Sequence, residues 1–188
     1  MATLGSYFEF TFDATAKAIW YINAPDVPPA GMWSLMSCKP YCGPRPLIAK
    51  VTSIGGTTNV AFGTFGAVYV KRELAEAIAA KAGTGVELIP VEIAAANSSY
   101  VALNVLDEVD CIDESRSEFT KWSRGNRERP DKAGEFKSVA KLIVDPVRAN
   151  GHHLFRLKGW RVALIVSSEL RAVVENYGAR GCAFLPVS

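Results

Sequence analysis

Cys38-Lys39-Pro40-Tyr41-Cys42-Gly43 is the closest approach to a metal motif in this chain. A zinc site takes four soft or borderline ligands, which arrive as two spaced pairs. Here one pair stands with three residues between its members. The remaining ligand types, Cys111, Cys182, His152 and His153, sit in apolar strand patterns or far along the chain. The two cysteines therefore read as loop residues, and no metal or other cofactor is expected. His152 and His153 are adjacent, so on a strand they point to opposite faces and cannot share one ligand. A Cys111–His153 nucleophile pair oriented by Asp110 can be written down, but Asp110 and Cys111 would face opposite sides of one strand. No phosphate-binding loop, dinucleotide glycine fingerprint, GxSxG elbow or HExxH is present, and Gly55-Gly56 and Gly63-x-x-Gly66 lack the spacing and lysine of a phosphate cradle. These residues do not predict an enzyme.

Charge and tryptophan carry the stronger signal. Between Asp107 and Glu118 stand six carboxylates (Asp107, Glu108, Asp110, Asp113, Glu114, Glu118) against one arginine. Carboxylates suit magnesium or calcium, but the spacing is not that of an EF-hand loop. From Lys121 to Lys137 the sign flips, with Lys121, Arg124, Arg127, Arg129, Lys132 and Lys137 against Glu128, Asp131 and Glu135. That second stretch holds Gly125, Asn126, Pro130 and Gly134 without apolar periodicity, so an exposed loop is expected, unstructured by itself. Trp122 lies inside it. Trp and Arg dominate protein–protein hot spots, and so polar a loop gives Trp122 little local core. The candidate partner-binding residues are Asp107, Glu108, Asp113, Glu114, Glu118, Trp122, Arg124, Arg127 and Arg129, with the Trp33–Tyr41 loop beside them.

The elements that must position these residues are announced by a candidate internal repeat. Shifted by 96 positions, residues 67–91 lie without a gap on 163–187, matching Val70 to Val166, Glu73 to Glu169, Leu74 to Leu170, Gly85 to Gly181, Pro90 to Pro186 and Val91 to Val187. Each copy reads as strand, helix, strand. Leu170, Val173, Val174 and Tyr177 form one apolar helix stripe, repeated by Leu74, Ala77, Ile78 and the stem of Lys81. Gly83 and Gly178 stop the helices, and Val86–Ile89 and Cys182–Leu185 are expected as short buried strands. Phe8, Phe10 and Phe12 alternate as a strand, which a turn at Asp13–Ala16 would return through Ala18, Trp20 and Ile22. A proline-rich loop follows, then a strand at Leu47–Thr52. Tyr100–Leu106 is a strand that must bend near Asp107-Glu108, because continued alternation would put Asp107 on the apolar side. Val139–Val144 reads as a buried strand. His153, Phe155 and Leu157 point inward and His152, Leu154 and Arg156 outward in a hairpin turned by Lys158-Gly159. The fold class is α+β, one domain over 1–188 with pseudo-repeat halves 1–97 and 98–188.

A chain of 188 residues, 49% hydrophobic, can bury a full core. No run of about 18 apolar residues predicts a membrane span, and the first residues lack the basic and apolar regions of a secretory signal. A net charge of +2 argues neither for nor against nucleic acid. Four cysteines without a secretory signal predict free thiols and a cytoplasmic location.

Two ordered blocks carry a resemblance: N-x-x-D-x-x-D-C-x-D-x-x-x-S-E over Asn104–Glu118, then H-H-x-F-R-x-x-G-W over His152–Trp160. With KLIVDP between them and the final strand–helix–strand unit, the chain from about residue 65 resembles the immunity proteins of bacterial polymorphic toxin systems, in the immunity eleven family. A related group carries paired CxxCG motifs near the N-terminus; a single CxxxCG stands here, and no zinc ribbon is carried over. The resemblance implies a protein that binds and neutralises a cognate toxin. It assigns no binding residues. An enzyme reversing toxin damage, with Cys111 and His153 as its best candidates, and a nucleic-acid-binding module built on Lys121–Lys137 are the competing classes.

Overall fold

The structure, a computed structural model, describes residues 6–16, 20–23, 33–53, 55–94, 96–125 and 127–188. Ala18, Asn126 and most of the proline-rich loop lie outside them. In chain order the first strands are β1 (Tyr7–Phe12), β2 (Tyr21–Ile22), β3 (Leu47–Ala49), β4 (Val51–Ser53), β5 (Val60–Phe62) and β6 (Val68–Lys71). Helix α1 (Arg72–Ala82) follows, then β7 (Val86–Ile93), β8 (Tyr100–Val105), β9 (Glu108–Val109), β10 (Glu118–Lys121), β11 (Phe136–Lys141), β12 (Leu154–Leu157) and β13 (Trp160–Ser167). Helix α2 (Ser168–Asn176) and β14 (Cys182–Pro186) complete the α+β fold.

Two five-stranded sheets, ordered β3-β7-β8-β6-β5 and β14-β1-β13-β12-β9, share one construction. In the first, β6–α1–β7 crosses over so that β8 lies antiparallel between its two strands; in the second, β13–α2–β14 does the same around β1. The registers agree under the shift of 96. Val70 faces Val60 and Val101, and Val166 faces Leu154 and Phe8. Pro90 faces Val101, and Pro186 faces Phe8.

One core holds the halves together. Phe10, Val70, Val101, Leu103, Leu154, Leu164 and Val166 from the sheets meet Leu74 and Ile78 of α1 and Leu170 and Val174 of α2. Each such side chain, removed from water, contributes roughly 1.5–3 kcal/mol. Helix α2 is started by Ser167, whose hydroxyl accepts from Leu170 N at 3.2 Å. Gly83 and Gly178, at φ +64° and +68°, end the two helices as expected.

The opposite face of each sheet is covered by irregular chain. Trp20, Ile22, Leu35 and Tyr41 lie over the first sheet against Tyr69, Ile89 and Tyr100. Cys111, Ile112, Val144 and Ala149 lie over the second against Tyr7, Phe155 and Ile165. Because both faces are covered, β8 is buried at every position, Val101, Leu103 and Val105 on the shared core and Tyr100 and Ala102 on the other side. The expected bend falls after Val105, where the chain leaves the first sheet and enters the second as β9, parallel to β12.

Three expectations are corrected and one is refined. The partner of β1 is not a returning strand at Trp20–Ile22, since β2 pairs with β4 and β1 lies between β13 and β14. The exposed loop expected over 121–137 is found between Lys121 and Phe136, but its ends belong to β10 and β11, a two-stranded antiparallel arm held by Phe119 on Phe136, 5.0 Å apart and edge to face. The expected buried strand at Val139–Val144 is split, its start in the exposed β11 and its end at Val144, which bridges to Ile112. And β14 is an edge strand, Leu185 being exposed, so the terminal strand of the second unit is not buried.

Candidate functional site

The two covering segments meet at a half-open cleft of about 570 Å³. One wall is the 3-10 turn Ser34–Met36 with Trp33 before it; the other is the β10–β11 arm where its strands give way to the connecting loop, with Trp122 and Phe136; Trp160, at the start of β13, closes the third side. Three of the chain's four tryptophans thus line one depression, and Trp33 is 55% exposed there.

Each wall has a physical support. Trp33 packs edge-on against Phe65 at 4.7 Å. Phe65 and Gly66 are both left-handed, at φ +55° and +67°, and the bare Gly66 leaves room for Met36, whose sulfur a methyl group there would strike. Such backbone persists only where its surroundings fix it. Arg156 does so: its guanidinium donates to Gly66 O at 2.9 Å and to Arg161 O at 2.7 Å, tying the first wall to the strand that carries the third. The sequence pattern sent Arg156 outward, yet it is 1% exposed. Both faces of β12 are covered, so no face was left for it in solvent. Burial lowers its pKa to about 10, which leaves it charged near neutral pH. The arm is held by Lys121, whose ammonium lies 4.7 Å above the Phe136 ring and 2.6 Å from Glu114. Lys137 stands 4.9 Å over Trp122.

The predicted contact residues separate into groups. Glu108 and Trp122 line the cleft, and Glu108 binds Arg161 at 2.6 Å, raising the pKa of that guanidinium. Asp107 turns inward to His152 Nδ1 at 2.9 Å. Asp113 closes its own turn, accepting from Ser115 and from Arg116 at 2.6 Å; these bonds hold its carboxyl down at about 2. Glu114 is tied to Lys121, and Glu118 is exposed on β10. Arg124 and Arg127 project from the arm's far end, and Arg129 pairs with Asp131 at 2.8 Å. The acidic run is therefore not one free patch: four of the five predicted acids are engaged within the chain. Met36 lies within the Trp33–Tyr41 loop and Phe136 at the end of the basic stretch, neither singled out; Trp160 and Arg161 were missed. Only Trp160 left a signal, a large aromatic directly after a Lys-Gly turn.

The catalytic candidates are not assembled. His153 Nδ1 meets Ser167 Oγ at 2.8 Å, and Ser167 is the buried cap of α2. Glu169 lies 3.9 Å from that same nitrogen rather than across the ring, so the three do not form a relay. Cys111 is buried, and burial pushes its thiol up to about 12, opposite to the shift of an activated nucleophile. Among the described residues no three His, Cys, Asp or Glu side chains are grouped to hold a metal, and no helix is long and apolar enough to cross a membrane.

The profile of the immunity protein family (Imm11) matches residues 46–188. The chain belongs to the Imm11 immunity protein family. A comparison with curated proteins finds no match. In this Imm11 protein, the residues of the two recognised blocks wire the fold together. Asn104 Nδ2 donates to Lys39 O and to Glu87 Oε2, both at 2.9 Å, and Glu87 also accepts from Tyr41 N and Arg45, so the Cys38–Arg45 segment is fastened to β7 and β8. Burial alone would raise the Glu87 carboxyl; these donors outweigh it and bring it below its ordinary value. Ser117 and Ile143 exchange two hydrogen bonds, and Gly159, at φ +77°, turns the β12–β13 hairpin beneath Phe136. Of the second block, Lys158, Gly159 and Trp160 reach the cleft.

Proposed function

We propose that this Imm11 protein binds the cognate toxin of a polymorphic toxin system in the bacterial cytoplasm and neutralises it by occupancy, without chemistry of its own. The observation that carries the reading is the cleft: Trp33, Trp122 and Trp160, from three separate segments, are held at one surface by Arg156, Arg161 and Lys137. A wide aromatic depression framed by arginine and lysine is the composition of a binding hot spot. The contact surface in this proposal is the cleft with Glu108 and Trp122, continued along the arm through Arg124, Arg127 and Arg129 to Glu118. Asp107, Asp113 and Glu114 serve it indirectly, by holding His152, the 113–117 turn and Lys121 in place.

The test is co-expression with the cognate toxin domain, to be sought at the C-terminus of a large secreted protein encoded next to this chain. Growth should be rescued, and the two chains should co-purify as a complex that gel filtration resolves. Rescue without a complex, or a toxin modified or repaired by catalytic amounts of this protein, would overturn neutralisation by binding.

A further inference from the structure

We infer that the cleft is built for a protruding acidic segment of the partner, one that inserts a large apolar side chain between Trp33, Trp122 and Trp160 with carboxylates on either side of it. This rests on the reading that the protein acts by binding.

The charge left available decides the partner's sign. Around the cleft the acids already have cations of their own: Glu108 holds Arg161, Glu135 holds Lys132 at 2.6 Å, and Glu114 holds Lys121. The cations are less fully committed. Arg124 and Arg127 are exposed at the arm's end with no ion pair among the described residues, Lys137 rests on the Trp122 ring, and Lys158 reaches Asp110 only at 3.4 Å with both side chains about two-thirds exposed. From Glu118 to Lys141 the arm carries seven Lys and Arg against four Asp and Glu. That excess of three exceeds the net +2 of the whole chain, so the positive charge of the protein is concentrated here. A partner surface that docks on it is selected for the opposite sign, which also speeds encounter.

The shape decides the rest. A depression of about 570 Å³ lined by Trp, Phe and Met has room for large side chains inserted from a loop. The arm's outer edges are ill suited to strand addition, because lysines stand along both β10 and β11 at Lys121, Lys137 and Lys141.

Two measurements test this separately from the proposed function. In the first, the full chain labelled with nitrogen-15 is titrated with a capped hexapeptide of Asp, Glu and Phe, and with its counterpart in which Lys replaces each acid. The acidic peptide should move the indole N–H signals of Trp33, Trp122 and Trp160, bind at least tenfold more tightly than the basic one, and lose tenfold with Arg124→Glu plus Arg127→Glu. Equal binding of the basic peptide, silence of the indoles, or tighter binding of a short single-stranded oligonucleotide at the same site would overturn the inference. In the second, the cognate toxin domain is titrated against wild type, Trp160→Ala, Trp33→Ala and the double arginine reversal. A loss of at least tenfold with the reversal and with either tryptophan variant supports the assignment. Undiminished affinity in all three variants sinks the cleft and leaves neutralisation by binding intact, whereas no complex with the folded wild type sinks neutralisation by binding, with the peptide result still deciding the chemistry of the cleft.

Discussion

Asn104 offers the sharpest test of how the loop wall is held. It is fully buried in β8, and its amide nitrogen is the donor that joins Lys39 O to Glu87. Its Oδ1 has no partner among the described residues, so its contacts there are made through its N–H groups. Asn104→Ala leaves the Lys39 carbonyl without its donor, at about 1–3 kcal/mol, and removes a bond to a charged acceptor of about 1.5–3 kcal/mol. Release from burying the unpaired Oδ1 offsets roughly 1–2 kcal/mol of this. The expected net loss is about 2–4 kcal/mol, a fall in Tm of roughly 4–16 °C for a chain of this size. Asn104→Asp should be worse near neutral pH, because it sets a second buried carboxylate against Glu87 where a donor had been. Its deficit relative to wild type should shrink as pH falls from 7 to 5 and one carboxyl of the pair takes a proton. Urea unfolding of the three proteins at pH 7 and pH 5 checks both statements. A loss under 0.5 kcal/mol for Asn104→Ala, or an aspartate deficit that grows on acidification, would refute this account of the loop's anchorage.

Ser167→Ala should cost about 1–2 kcal/mol in urea unfolding, because it removes the N-cap of α2 as well as the partner of His153. Burial first, and Lys81 second, lower the His153 pKa, so the folded state favours the neutral ring. Its contribution is fully present above the unfolded pKa near 6.5 and is lost as pH falls through the folded value; His153→Gln should therefore flatten the fall in Tm between pH 7.5 and 5.5. Cys42 is exposed, whereas burial pushes the Cys111 and Cys182 thiols up to about 12. A disulfide reagent at pH 8 should label Cys42 in the native protein and Cys111 only in urea, and a fast phase surviving in Cys42→Ser would contradict this.

The two strand–helix–strand units were legible because each obeys a local rule: an apolar stripe at helical spacing, a glycine after it, and strands on both sides. The bend after Val105 was legible for the same reason, since Asp107 broke the alternation. What stayed hidden depended on neighbours distant in sequence. Nothing near β1 announces that its partners lie beyond residue 160, and no periodicity marks β10 and β11, whose contact is two aromatic rings and a lysine rather than a buried face. Arg156 misled for a related reason: alternation tells which residues share a side, not whether both sides are covered. The cleft was half visible. Trp122 was chosen by residue type and Trp33 with its loop, and both reach it; Glu108, chosen with the acidic run, lines it paired to Arg161, while Asp107, Asp113 and Glu114 are engaged elsewhere in the chain and Glu118 stands exposed.

The placement of β1 bears on how the protein is made. Tyr7 N donates to Ser188 Oγ at 2.9 Å, Val187 N donates to Tyr7 O at 3.1 Å, and the strand between them lies against β13 and β14. On the ribosome this aromatic segment emerges before the rest of its sheet and must wait, without neighbours, until some 150 further residues have been added. The first sheet, contained within residues 47–105, has no such delay. Synthesis thus completes the first sheet early and the second only once β14 has been made. A translation product cut short before β14 would carry Phe8 and Phe10 uncovered on one flank, a species for chaperones and proteases rather than a working half-protein.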